Sequence, residues 1–219
     1  GILASIGLLI GSLLLTGVAQ TLSSDIISLA GGNIILLVGM GALASFILGM
    51  GLTITACYLL LAVLLAPALV DSGLYPLAAH LFLMYCGMLS FITPPVAIAA
   101  YAAASIAGAS PMRTGFHAIR LGIILFIIPF FFVFQPAFVL HGTLLEVLKV
   151  LGTGFLGVIL IASGLEGYLA IVGSLGTLKR LVSILSGALL LTPDLPTDLI
   201  GALLAAILVV GRFLRSKPG

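Results

Sequence analysis

Two short stretches of this chain carry residue types that could bind an ion. One is Phe91-Ile92-Thr93-Pro94-Pro95-Val96, and the other is Gly49-Met50-Gly51-Leu52-Thr53-Ile54-Thr55. Pro94 and Pro95 lack an amide N–H, and each excludes the residue before it from helical geometry, so a helix arriving here must stop and restart. The carbonyls about one turn earlier, near Leu89 to Phe91, are thereby expected to lose their partners. With the Ser90 and Thr93 hydroxyls they would supply hard, neutral oxygens of the kind that hold Na+ in transporters. A half-helix restarting near Val96 turns its positive N-terminal dipole toward the same spot, which favours an anionic group. The Gly/Thr stretch offers a second set of carbonyls and hydroxyls. The candidate ion ligands are therefore Gly49, Gly51, Thr53, Thr55, Ser90, Thr93 and Pro94. Each stretch also has a mechanical reading: a proline kink, or glycines that let helices pack closely. Their occurrence in consecutive segments of suitable length favours a binding centre.

The elements around these stretches must lie in a membrane. The chain is 62% hydrophobic and 6% charged, with a mean hydropathy of +1.43. Soluble domains carry roughly 25% charged residues, so this composition predicts an all-α, polytopic membrane protein in a lipid bilayer. The net charge of +2 implies no nucleic-acid partner. Cys57 and Cys86 sit in apolar runs and read as small core residues. No zinc, phosphate-loop or nucleotide-binding spacing occurs, and no nucleophile–base or paired-carboxylate arrangement suggests an enzyme; no cofactor is expected beyond Na+ as coupling ion. The chain starts at Gly1 with no charged n-region, which reads as no signal peptide and as a fragment or processed half of something longer.

Apolar runs give the order of elements. Ile2 to Gln20 is long enough to cross, and the polar step Thr21 to Asp25 could cap a short helix after it. Gly31-Gly32-Asn33 then opens a run from Ile34 to Leu48, and a further run, Tyr58 to Val70, closes at Asp71-Ser72-Gly73. Arms of ~13–15 residues span roughly 20–22 Å, short of the ~30 Å hydrocarbon core. They predict a re-entrant hairpin over about 34–70 with the Gly/Thr stretch at its apex; two tilted spans joined by a tight turn are the alternative. The run from Leu77 to Ala107 would be ~46 Å as one helix, so two half-helices broken at Thr93-Pro94-Pro95 fit better. A full span is expected at 121–140, rich in phenylalanine, then a run from Val147 to about Leu175. Leu181 to Leu191 and Leu199 to Val210 follow.

Charge orients these runs. Residues 1–112 contain no Lys or Arg, and Asp25 and Asp71 are their only acids. Arg113 and Arg120, then Lys179 and Arg180, then Arg212, Arg215 and Lys217 recur after even numbers of crossings, so all three clusters fall on one face, as the positive-inside rule requires. That face is cytoplasmic, and Asp25 and Asp71 lie on the other. Two full spans in place of the hairpin give the same parity. His80 reads as packed or interfacial, His117 as a surface residue, and Glu166 as a partner of Lys179 or Arg180.

The segment Gly49 to Leu69, GMGLTITACYLLLAVLLAPAL, followed by Ile92 to Gly122, ITPPVAIAAYAAASIAGASPMRTGFHAIRLG, resembles the large membrane subunit of tripartite ATP-independent periplasmic (TRAP) transporters. It is most similar to fused permeases that serve TAXI-type solute receptors. The likeness runs from about Gly1 to Leu140, and residues 141–219 resemble the C-terminal membrane extension of those permeases. It implies an elevator-type, Na+-coupled importer built from two inverted repeats, of which residues 1–140 are the second. A periplasmic solute-binding protein would deliver a small organic carboxylate. The N-terminal half of the permease and a small membrane subunit, or its fused equivalent, would complete the machine in a bacterial or archaeal cytoplasmic membrane. The substrate would lie between the two breaks, at Thr55, Thr93, Pro95 and Val96. The family usually reads Gly-Met-Gly-Leu-Pro-Thr-Thr at the apex; Leu52-Thr53-Ile54-Thr55 here keeps the carbonyls but changes the side-chain ligands. A channel or membrane scaffold without coupling is the alternative function.

Overall fold

The computed structural model describes residues 2–192 and 194–215, so Gly1 and Lys217 of the sequence reading lie outside it. The described chain is helical apart from turns and a two-residue β-ribbon, Tyr168–Leu169 against Gly173–Ser174. It divides into two compact units, Gly1–Val139 and Leu140–Gly219.

In the first unit, α1 (Ile2–Leu15) and α2 (Val18–Ala30) meet at a 68° bend. The single crossing expected over Ile2 to Gln20 is thus divided at Thr16-Gly17. Gly17 has φ 73°, a left-handed conformation that glycine adopts without a Cβ penalty. The polar step Thr21 to Asp25 does not cap a new helix; it lies inside α2. Asn33 opens α3 (Ile34–Gly49) by accepting from the amides of Ile35 and Leu36, at 3.0 and 3.2 Å. A turn at Met50–Leu52 reverses the chain into α4 (Ile54–Leu64), which continues after a kink as α5 (Ala66–Asp71). Residues 34–71 thus form a helix–turn–helix.

The interrupted helix follows as α6 (Pro76–Met88), a 3-10 turn at Leu89–Phe91, a non-helical link, and α7 (Ile98–Ala107). Helix α6 is the centre of the unit: Phe82 and Leu83 are fully buried, with Leu61, Leu69 and Val38 of the hairpin packed around them. Next come α8 (Pro111–Leu121), outside the apolar runs read from the sequence, and α9 (Ile123–Phe134). The full span expected at 121–140 is instead a 12-residue helix ending in a 3-10 turn at Pro136–Val139. Helices α8 and α9, bent by 44°, together have the length and hydropathy of a crossing. Phe130 and Phe132 pack edge-on against Phe82 and Tyr85, at ring-centre distances of 5.4 and 5.3 Å.

The second unit is a three-helix layer of α10 (Leu144–Glu166), α11 (Thr177–Leu191) and α12 (Leu195–Arg215). Among the described residues, α10 is the one unbent helix long and apolar enough to cross a membrane. Thr143 and Glu146 start it with a reciprocal capping box. Glycines let α10 and α11 touch backbone to backbone: a Cβ at Gly157 would lie 2.8 Å from the Gly187 carbonyl. The Ser183 hydroxyl donates to the Leu160 carbonyl at 2.7 Å, and that of Ser186 to the Gly201 carbonyl at 2.7 Å, so the buried hydroxyls tie the three helices together.

Arg180 ends α10. Its guanidinium donates to the Gly164 carbonyl at 2.8 Å and to the Leu165 carbonyl at 2.6 Å, where a cation also complements the helix dipole. Hydrogen bonds to charged groups contribute about 1.5–3 kcal/mol each. Arg180→Met is therefore expected to raise amide exchange in the last turn of α10 at least tenfold, a change of about 1.4 kcal/mol. Exchange in that turn equal to wild type would show that the cap contributes nothing.

Candidate functional site: the hairpin apex and the interrupted helix

The link between α6 and α7 is closed on itself by hydrogen bonds. The Thr93 hydroxyl donates to the Leu89 carbonyl at 2.6 Å, and the amide of Ile92 donates to the same oxygen at 3.2 Å. The Ser90 carbonyl accepts from the amides of Thr93, at 3.3 Å, and Ala97, at 3.1 Å. Two of the carbonyls expected to be left open by the prolines are thus saturated. The Ala97 amide also reaches the Thr93 carbonyl at 3.0 Å, and Ala97 itself takes a left-handed conformation, φ 35°, which costs a non-glycine residue roughly 1–2 kcal/mol. Ser90 is fully buried and donates to the Gly87 carbonyl at 2.9 Å. The Pro94–Pro95 peptide is cis, and the Pro95 carbonyl accepts from the Tyr101 hydroxyl at 3.0 Å.

At the apex, Thr53 caps α4: its hydroxyl oxygen accepts from the amide of Ala56 at 3.4 Å. Thr55 is exposed in the first turn of that helix. Gly49 has a packing role. A Cβ there would overlap the Gly87 carbonyl, and a Cβ on Gly87 would lie 2.9 Å from Cys57 Sγ. The hairpin thus meets the first half-helix at a glycine-to-glycine crossing just short of both breaks. Cys57 and Cys86 are both buried there. A second link joins α4 to α6 farther along, where the Tyr58 hydroxyl lies 3.2 Å from His80 Nδ1.

A cavity of about 450 Å³ joins the apex to the interrupted helix; it is lined by Met50, Gly51, Leu52, Thr53 and Ile54 from one side and Phe91 and Ile98 from the other. Of the residues singled out in the sequence, Gly51 and Thr53 line it. Gly49, Thr55, Ser90, Thr93, Pro94, Pro95 and Val96 do not line it. Ile98 is the first residue of α7, and no side chain caps that helix. Its first amides are left without a side-chain acceptor, and a helix start of that kind favours an anion. The hydroxyls fit a cation in one respect: Thr93 spends its proton on Leu89, and Thr53 already acts as an acceptor, so both oxygens keep lone pairs for another partner. No group of three His, Cys, Asp or Glu gathers among the described residues.

Helix α8 braces the link from outside. A Cβ at Gly115 would stand 2.7 Å from Pro94 Cγ, and one at Gly122 would stand 2.9 Å from Ile92 Cδ1. The two glycines are two helical turns apart and present one small-residue face to the break. Met112, Arg113, Phe116, His117 and Arg120 are exposed on the same helix. Sequence reasoning missed Gly87, Gly115 and Gly122; the seven-residue spacing of the last two was the available signal.

An all-α chain of apolar helices, in which a hairpin and an interrupted helix share one cavity, is a multi-pass membrane protein of the transporter kind. The family described as the tripartite ATP-independent periplasmic transporter, DctM component, matches residues 1–147. The chain belongs to that family, the permease component that works with a periplasmic solute-binding protein and a membrane partner. No curated protein and no solved structure matches it.

Proposed function

We propose that this chain is the second inverted repeat and C-terminal extension of a TAXI-type, fused TRAP permease. It imports a small organic carboxylate with Na+ by an elevator motion in the cytoplasmic membrane. The observation that carries this reading is the cavity shared by the Thr53 apex and the uncapped start of α7. The substrate carboxylate lies at the amides following Ala97, where the helix dipole favours negative charge. Na+ sits beside it among neutral oxygens, those of Thr53 and Thr93 foremost. Placing the cation and the anion together makes each site favour occupation of the other, so the ion gradient drives uptake. The hairpin enters and leaves from the periplasmic face, with its apex near mid-membrane. The other half of the site comes from the first repeat.

The test is uptake by the complete transporter in proteoliposomes with an imposed Na+ gradient. Thr93→Ala combined with Pro95→Ala is expected to abolish Na+-dependent uptake while insertion is retained. Uptake that ignores the Na+ gradient, or that survives this double substitution, would sink the assignment.

A further inference from the structure

We infer that α8 lies in the membrane interface and binds anionic phospholipid headgroups through Arg113 and Arg120, resting on the reading of the chain as a membrane protein. The helix that braces the break is thereby held to one leaflet. Helix α8 joins two apolar helices, α7 and α9, and Arg113 is the first basic residue of the chain. Arg113 in its first turn and Arg120 in its last are exposed and two turns apart, so they share one side. Upright, as half of a crossing, α8 would set one arginine ~10 Å deeper than the other, and charge at such depth is costly. Helix α9 and the 3-10 turn after it can cross without α8. Their 12 and 4 residues span roughly 26 Å, most of the ~30 Å hydrocarbon core. The 44° bend between α8 and α9, added to a tilt of α9 of about 20–40°, lays α8 about 65–85° from the membrane normal. The arginines then differ in depth by less than ~5 Å, within reach of side chains that extend toward the headgroups.

Round α8 the side chains sort into three arcs. Gly115 and Gly122 face the break. Met112 and Phe116, 48% and 62% exposed, form an adjacent apolar arc. Arg113, His117 and Arg120 form the third, which is polar and exposed. A helix with one basic face and one apolar face lies in the plane of the interface, its apolar side among acyl chains and its basic side among phosphates. The chemistry of the basic arc selects the lipid. A guanidinium matches the paired oxygens of a phosphate. Phosphatidylcholine offers that phosphate with a cation tethered beside it, whereas phosphatidylglycerol offers it with net negative charge. Helices α7, α8 and α9 carry no carboxylate that would repel an anionic headgroup.

The chain contains no tryptophan, so Phe116→Trp places a single fluorescent reporter on the apolar arc. The experiment reconstitutes the full chain in equimolar phosphatidylcholine and phosphatidylglycerol vesicles, with bromine on the acyl chains of one lipid or the other. Quenching at position 116 is expected to be at least fivefold stronger from brominated phosphatidylglycerol, the size of one arginine near an anionic surface. Phe155→Trp, at an exposed position of α10 with no basic residue within a turn, is expected to be quenched equally by both. Raising the salt to 1 M, which shortens the screening length to about 3 Å, and Arg113→Gln with Arg120→Gln are each expected to remove the preference at position 116. Equal quenching there by the two lipids would overturn the inference. So would a preference that survives both salt and the double substitution, or a reporter that neither lipid quenches, which would place protein over the helix. Quenching at position 155 reports independently that the chain is in the bilayer, and no outcome depends on Na+-coupled uptake. Failure here is therefore distinguishable from failure of the membrane and transport readings.

Discussion

Gly49→Ala is expected to lower the melting temperature of the detergent-solubilised chain by about 6–12 °C. The added methyl would fall on the backbone carbonyl of Gly87, and on its carbonyl carbon at 2.9 Å. A side chain could rotate away, but a helical carbonyl cannot, so α3 and α6 must separate. Overpacking a well-filled contact costs typically 1–3 kcal/mol, and backbone against backbone belongs at the upper end. For a chain of this size, 1 kcal/mol corresponds to roughly 2–4 °C. Gly51→Ala supplies the control two residues away, since no atom stands within 4 Å of its Cβ position. It is expected to leave stability within about 0.5 kcal/mol of wild type, although Gly51 lines the cavity and Gly49 does not. Equal melting temperatures for the two variants would show that the glycine crossing does not hold the hairpin to the interrupted helix.

The contrast between these glycines marks where sequence reasoning stops. Both belong to one Gly-Met-Gly stretch, and in the sequence both read as candidate ligands or candidate packing residues. Only the position of Gly87, 38 residues farther along, assigns the packing role to Gly49. The breaks themselves were legible because their causes are local: Pro94 and Pro95 cannot continue a helix, and Asn33 and Thr53 are capping residues. The fate of the carbonyls before the prolines was not legible. It depends on the Thr93 hydroxyl and the amides of Ile92, Thr93 and Ala97 folding back onto them, which no residue type in the stretch dictates. The division of the first run at Gly17 was hidden for the opposite reason. Glycine permits a bend but does not require one. In the second unit, the pairing of Lys149 with Asp198 joins residues 49 positions apart and is set only by where α12 packs.

Gly115 bears most directly on the transport reading, because it touches the break without lining the cavity. Gly115→Ala is expected to reduce uptake by the complete transporter at least tenfold while the chain still inserts. The methyl would meet Pro94 at 2.7 Å from Cγ and 3.2 Å from Cδ, with Tyr101 3.5 Å away on the other side. Pro94 has little freedom to yield, since the amides, hydroxyl and carbonyls around it are engaged with one another and with Tyr101. Helix α8 must retreat or the link must move. Either change shifts Ile98 relative to Thr53, and displacements on the order of 1 Å can cost a hundredfold in a site that depends on geometry. Removing the obstacle tests the cause. Pro94→Ala takes away Cγ and Cδ, so the double variant Gly115→Ala/Pro94→Ala should be more stable than the sum of its parts by about 0.5–3 kcal/mol, the range found for residues in contact. Strict additivity would mean that α8 does not brace the break, and the loss of uptake would then need another cause. A positive coupling with uptake still lost would separate the two roles of Pro94: the ring fills the space beside α8, and the missing amide keeps α6 from running on into α7.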